Sequence, residues 1–279
     1  MYLIFDIGGT KMRLAFSRDG ATFDKPRIVK TPKNFEEGVV EFGRLAKEVA
    51  GGEKIKVAAG GIAGPFNRDR TELVGSPNLP SWANKPLKKE LETAIGAPVY
   101  LENDAAIAGL GEATVGAGRG KGIVAYITVS TGVGGARIVD GEIDRRVVSF
   151  EPGHQILMLS DELCPYCHLP GHLESVVSGA ALKKRYGKEP YEITNPKIWD
   201  EMARFLAYGL SNASVFWSPD VIVLGGSMVV KSPGISAGRV AEYLESVHKI
   251  FPPPEVVEAK LQDVGGLHGA LQFIKQKTV

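Results

Sequence analysis

Residues able to do chemistry occur in three settings along this chain. The run APVYLEND (97–104) ends in Glu102, Asn103 and Asp104, and a carboxylate at Asp104 could accept the proton of an attacking hydroxyl. The stretches Gly8-Gly9-Thr10-Lys11 and Thr131-Gly132-Val133-Gly134-Gly135 could hold phosphates with backbone N–H groups, hydroxyls and one ammonium. Asp6, just before the first of these, could orient Mg²⁺, most readily through water, because Mg²⁺ gives up its waters reluctantly. Cys164 and Cys167 lie near His154, His168 and His172, and C-x₂-C beside histidines is metal-ligand spacing. A phosphate cradle, a metal-orienting carboxylate and a proton acceptor are the parts that phosphoryl transfer needs, since positioning and electrostatics do most of that work.

Each feature also has a plainer reading. A glycine-rich hairpin tip is more often only a tight turn. A carboxylate that begins a helix is more often a cap than a base. What separates the two readings is that several such sites fall at strand ends in one chain, where open α/β sheets bind their ligands.

The elements that must position these residues are legible. YLIFDI (2–7) reads as a buried strand, GGTK as a turn and MRLAFSRDG as the returning strand; GIVAYITV (122–129), STGVGG and ARIVDG repeat that form much later. Glycine at such tips permits positive φ and close approach of a ligand to backbone N–H groups. The echo suggests two related halves. Asn34 followed by Glu37 marks a helix start, and Phe35, Val39, Phe42, Ala46 and Val49 then keep helical spacing. KVAAGGIAG (56–64) and PDVIVLGGS (219–227) read as strands entering glycine turns. AAIAGLGEA, the run holding Met202, Phe205, Leu206, Leu210 and Ala213, and GLHGALQFIKQK near the end read as helices.

Composition narrows the class. The 279 residues suit two domains of modest size, and a 44% apolar content can build a core. Lysine plus arginine (33) nearly balance aspartate plus glutamate (32), which gives no reason to expect nucleic acid or a membrane as partner. Two cysteines fit a reducing compartment, hence the cytoplasm. The N-terminal run lacks a basic start and contains Asp6, unlike a signal peptide, and the stretch 122–139, whose one charge is Arg137, reads as two strands with a turn.

Together DIGGTK, LENDAAIAGLGE, TVSTGVGG, EPGH (151–154) and the Cys/His cluster followed by Glu174 resemble the ROK family of sugar kinases, which also includes sugar-responsive repressors. The resemblance implies an α/β, actin-like (ribonuclease H-like) fold of two domains around a central ligand cleft. A small domain of 1–103 plus 267–279 and a large domain of 104–266 are expected. It further implies these roles: Gly8, Gly9, Thr10 and Lys11 in the first phosphate loop, Thr131 and Gly132 in the second, and Gly225, Gly226 and Ser227 in the turn near the adenosine. Asn103, Glu151, His154 and Glu174 would bind sugar hydroxyls, Asp104 would be the catalytic base, and Gly64, Asn78 and Leu79 would line the sugar pocket. ATP with Mg²⁺ would be the donor, glucose phosphorylated at O6 the first expectation, N-acetylglucosamine or N-acetylmannosamine the alternatives, and a homodimer the assembly.

The family's zinc motif usually reads C-x-C-G-x-x-G-C-x-E, with the histidine of E-x-G-H as a further ligand. Here the first cysteine sits one residue early, His168 replaces a glycine and His172 replaces the third cysteine. The set His154, Cys164, Cys167 and His172 would still give a Cys₂His₂ sphere for a structural Zn²⁺, with His168 competing. Three other readings compete with the kinase, one of them a degenerate sugar sensor without catalysis, which the intact Asp104 and both phosphate loops argue against. A repressor of the family carries a DNA-binding segment before the kinase-like part, and here the first strand starts at residue 2. An actin-like ATPase acting on a protein would share the phosphate hairpins but not the Asn103, Asp104, Glu151, His154 and Glu174 constellation.

Overall fold

The computed structural model describes residues 1–76, 78–157, 164 and 168–278. In chain order, β1 (Tyr2–Ile7), β2 (Lys11–Ser17), β3 (Arg27–Lys30), α1 (Phe35–Ala50), β4 (Val57–Ile62), α2 (Leu87–Ile95), β5 (Val99–Asn103) and α3 (Asp104–Thr114) come first. They are followed by β6 (Ile123–Val129), β7 (Val133–Val139), β8 (Glu142–Ile143), α4 (Leu173–Val177), α5 (Gly179–Tyr186), α6 (Pro196–Trp217), β9 (Val221–Gly225), α7 (Ser227–Val230), α8 (Ala237–Val247), β10 (Glu255–Glu258) and α9 (Gly265–Thr278). These form two compact units. One comprises Met1–Thr114, Arg145–Ser149 and Asp263–Val279; the other comprises Val115–Asp144 and Phe150–Gln262.

Among the described residues each unit holds one sheet, and the two sheets have the same plan. The first runs β3-β2-β1-β4-β5 and the second, read from the opposite edge, β8-β7-β6-β9-β10. In both, a three-stranded antiparallel meander is extended by two parallel strands. The repeat expected from two hairpins therefore covers whole sheets.

In the first unit, β1 and β4 are apolar because helices cover both faces, as central strands of such sheets require. α1 starts as its sequence dictates: the Asn34 side chain accepts the Glu37 N–H at 2.9 Å, and Gly51 closes it at φ 57°. Phe42 meets Phe5 edge to face at 5.1 Å in the core. On the other face α3 crosses α9 with no room for side chains. A Cβ on Gly269 would lie 1.7 Å from the Ile107 carbonyl oxygen, and one on Gly111 would lie 2.5 Å from that of Gly265. In the second unit α6 and α8 supply Leu206, Leu210, Val240 and Leu244 to a core with Ile127, Ile222 and Leu224.

Two expectations about the hairpins need correction. The returning strands begin earlier than expected, at Lys11 and at Val133, because Lys11 already pairs with Lys30 and Gly134 and Gly135 already pair with Thr128 and Ile127. Neither Gly9 nor Gly132 is among the glycines with positive φ. Their lack of a side chain serves close packing instead: a Cβ on Gly9 would sit 2.4 Å from Asn78 Cβ, and one on Gly132 would sit 2.6 Å from Glu174 Oε2.

Candidate active-site residues

In the first unit, β1 ends beside Asp6 and β5 leads straight into Asp104. Asp6 pairs across the strand register with Arg13, whose Nη1 donates to Asp6 Oδ2 at 3.0 Å. Burial pushes the Asp6 carboxyl up to about 6, Arg13 opposes that rise, and the nearby charge of Asp104 adds to it. Burial likewise raises Asp104, opposed by N–H donation from the backbone of Ala105, which reaches Asp104 Oδ1 at 2.9 Å. Two partly buried carboxylates that repel one another are relieved by a cation, so Asp6 and Asp104 fit a neighbouring Mg²⁺. The α3 helix reaches this position because β4 carries Gly61: a Cβ there would lie 2.8 Å from Asp104 Cα.

Asn103 is used by the fold. Its side-chain oxygen accepts the Ala106 N–H at 3.1 Å, capping α3, while its Nδ2 donates to the Gly64 carbonyl at 3.2 Å. Gly64 has φ 132°, a conformation that L side chains rarely adopt. The structure brings Asn78 against Gly9, and Lys33 Nζ ties them by donating to the carbonyl oxygens of Gly9 at 2.8 Å and Asn78 at 2.9 Å. Leu79 is different: its side chain is fully buried in the core. Thr10 and Lys11 are exposed at the hairpin tip, which Thr31 braces by donating its hydroxyl to the Gly8 carbonyl at 2.7 Å.

In the second unit the tip at 130–132 is a junction. Ser130 Oγ accepts the Ser227 N–H at 3.0 Å, and the carbonyl oxygens of Ser130 and Thr131 accept the N–H groups of Gly179 and Ala180 at 2.7 and 3.1 Å. The Gly225-Gly226-Ser227 turn is thus stitched to Ser130, the residue before Thr131 and Gly132. Gly226 has φ 88° and a Cβ there would strike Val129 O at 2.3 Å. Beyond the turn, Met228 O accepts the Ile235 N–H at 2.7 Å. That bond fixes a loop that walls a cavity of about 650 Å³ together with Thr194, Trp199 and Arg239.

Glu151, exposed, and His154 bracket a short helical turn at Pro152–His154. An isolated bridge between Ile156 and His172, with bonds from Leu157 N to Gly171 O at 2.8 Å and Leu173 N to Gln155 O at 3.0 Å, carries His154 up to His172. Their Nδ1 atoms lie 3.2 Å apart, and Cys164 Sγ lies 4.0 Å from His154 Nδ1. Around one zinc ion, metal–nitrogen bonds of about 2.0–2.1 Å and metal–sulfur bonds of about 2.3 Å put N–N edges near ~3.3 Å and N–S edges near ~3.6 Å. The three residues, whose ligand atoms all lie within 4.8 Å of one another, therefore fit such an ion. Burial first, then the charge of His154, lowers the His172 pKa against Glu174, and so favours the neutral ring a metal needs. His168 is exposed and outside this group; Cys167 lies outside the described residues. Glu174 is 4% exposed, its Oε2 accepting the Val133 N–H at 2.8 Å and its Oε1 the Cys164 thiol at 3.5 Å.

Comparison with known proteins decides the lineage. The ROK family model matches residues 2–277. The chain belongs to the ROK family. It is 29% identical to a glucokinase of Thermotoga maritima over 98% of this chain and 96% of that protein. Among solved structures, a ROK hexokinase from Thermus thermophilus superposes with a TM-score of 0.85 at 28% identity, covering 100% of this chain and 99% of that one. A ROK family glucokinase from Streptomyces griseus in complex with glucose and AMPPNP superposes at 0.84 with 26% identity, covering 99% of each chain. The fold of this ROK protein is accordingly the actin-like α/β fold of those kinases.

Sequence reading missed several residues that the structure places beside the candidate residues. Arg13 had one signal, a charge inside the otherwise apolar MRLAFS run, but only strand register shows that it faces Asp6. Lys33 and the walls of the 650 Å³ cavity had none, because the partners come from remote segments.

Proposed function

We propose that this ROK protein is an ATP-dependent hexose kinase that transfers the γ-phosphoryl group of Mg-ATP to O6 of glucose. The observation that carries this reading is Asp104, a partly buried carboxylate at the mouth of α3, beside Asn103 and near Asp6, with its pKa raised by burial. That ROK chains of nearly identical extent are named as glucokinase and hexokinase supports the sugar phosphotransferase class.

In the proposed reaction Asp104 takes the proton of the sugar hydroxyl as its oxygen bonds the γ-phosphorus, and the bond from that phosphorus to the bridging oxygen of ADP breaks. Gly9, Thr10, Lys11, Thr131 and Gly132 hold phosphate oxygens, and Asp6 orients the water shell of Mg²⁺, which supplies positive charge against the phosphates. The cavity walled by Thr194, Trp199 and Arg239 suits the adenosine. It lies beyond the Gly225-Gly226-Ser227 turn, and its size is that of ordinary ligand pockets. Asn103, Glu151, His154 and Glu174 hold sugar hydroxyls, and a site that pairs each hydroxyl rejects analogues leaving its own groups unpaired.

His154, Cys164 and His172, with Cys167, would hold a structural Zn²⁺, which would fix the His154 ring for the sugar. A metal-bound Cys164 thiolate would have no proton to donate, and Glu174 Oε1 would then be free for a sugar hydroxyl. By the same resemblance the enzyme works as a homodimer in the cytoplasm. Among the described residues no helix is long and apolar enough to cross a membrane.

The test is ADP release from Mg-ATP with glucose, mannose, fructose, N-acetylglucosamine, N-acetylmannosamine or no sugar. Strong stimulation by glucose above the rest is expected. Preference for an N-acetylated sugar would reassign the substrate, and turnover independent of sugar would remove the kinase reading.

A further inference from the structure

Glu102 is a charged residue in the interior of the first unit, its side chain only 7% exposed on β5. Its Oε2 accepts from Arg70 Nε at 3.3 Å, and its Oε1 lies 2.7 Å from Arg146 Nη2 in an ion pair. Oε1 also accepts the N–H of Asn103 at 2.7 Å. Arg70 reaches further: Nη1 donates to the carbonyl oxygens of Asn67 at 3.0 Å and Val147 at 3.2 Å, and Nη2 to that of Val148 at 3.0 Å. Arg70 can do this because it sits at φ 56° in a turn that Asn67 fixes by accepting the N–H groups of Thr71 and Glu72 at 2.9 and 3.3 Å.

The cluster thus grips residues 145–149. That segment belongs to the first unit, although Asp144 before it and Phe150 after it belong to the second. Burying one carboxylate between two guanidinium groups gives up hydration that an apolar trio would not lose, and such clusters are best understood where they specify one arrangement. Here the arrangement has chemical neighbours at both ends. Glu102 immediately precedes Asn103 and Asp104, and the gripped segment runs directly into Phe150 and Glu151.

We propose that Glu102, Arg70 and Arg146 are positioning residues for sugar binding, fixing the Asn103 end of β5 and the segment that leads into Glu151 without touching the sugar themselves. This rests on the hexose kinase reading. The cluster holds the sugar-binding residues in register, so loosening it weakens the sugar and leaves the nucleotide alone.

The discriminating variant is Arg146→Met, which leaves Glu102 facing Arg70 as a balanced pair. Three quantities are compared with the unaltered enzyme: glucose affinity by calorimetry, the KM values for glucose and ATP, and amide exchange across 145–149. The expected result is a rise of about tenfold or more in both the glucose Kd and its KM, with faster exchange at 145–149 and an unchanged KM for ATP. Arg146→Lys, which keeps the charge but loses the planar fork, should recover part of the glucose affinity, and it carries the same measurements if Arg146→Met does not fold. Faster exchange with unchanged glucose affinity, or equal losses for glucose and ATP, would overturn the positioning role while the kinase reading stands. An unaltered protein that binds no hexose would overturn both.

Discussion

The two sheets share one strand order but not one chemistry. In the first unit, the hairpin tip and the ends of β1 and β5 bring carboxylates together, and the surrounding devices are exclusions of side chains: Gly61 under Asp104, and Gly111 and Gly269 where α3 crosses α9. In the second unit the equivalent tip is a junction of backbone hydrogen bonds. There the stretch between β8 and β9 has grown to carry the His154, Cys164, His172 group and helices α4 to α6. The same meander supports both, so the plan supplies strand ends, and the loop or helix leaving each strand decides which chemistry is placed there. The first unit carries the Asp6 and Asp104 carboxylates; the second carries the His154, Cys164, His172 group and the cavity lined by Thr194, Trp199 and Arg239.

The largest test of that division is Asp104→Asn. Turnover should fall by about 10²–10⁴-fold, the usual worth of a general base, while glucose affinity changes little. The pH profile should agree in sign. Burial raises Asp104 and Asp6 above the ordinary 3.8, so kcat should decline as pH falls through these raised values, through about 6 if Asp6 limits. For stability the same shift runs the other way: a raised carboxyl favours the fold most below 3.8 and loses that contribution as pH rises through its folded value. Above that range, burying these carboxylates costs stability, as the proposed chemistry would require.

Next is Gly269→Ala, which breaks the first unit mechanically. Its new Cβ would lie 1.7 Å from backbone, so a loss of about 3 kcal/mol or more is expected, read as a lowered denaturant midpoint. Unchanged stability would mean that α9 can slide, and that the crossing is not what holds Asp104.

The smallest expected effect belongs to the second unit. Chelating the metal should weaken glucose binding by about tenfold and lower the unfolding midpoint, with nucleotide affinity unchanged. Metal-free protein that keeps full glucose affinity would confine the His154 group to holding the fold. Equal losses for glucose and nucleotide would erase the division within this unit.

Much of the architecture was legible because it is local. The Asn34 cap, the apolar runs of β1, β4 and β9, and the helical spacing of α6 are read within one turn or one strand, and the hairpin echo came from two such readings. The strand start at Val133 was missed because Gly134 and Gly135 have weak strand preference and are held by pairing with β6, and that at Lys11 because its partner is Lys30 on β3. The role of the tip glycines was misread for a related reason. A sequence shows that glycine is permitted anywhere in φ, but not that Asn78 or Glu174 will occupy the space of its missing Cβ.

By itself, then, the sequence determined the alternation of strands and helices, the family, and the residue types available for phosphate, proton, sugar and metal. Those depend on periodicity and on motifs whose members lie within a few residues of one another. Only the tertiary structure decided that Arg13 faces Asp6, that His172 rather than His168 joins His154 and Cys164, and that Leu79 turns its side chain into the core. It alone placed Glu102 between two arginines from distant loops. Strand register, a bridge between remote segments and the burial of a charge are set by partners far away in the chain, and no local pattern encodes the identity of a distant partner.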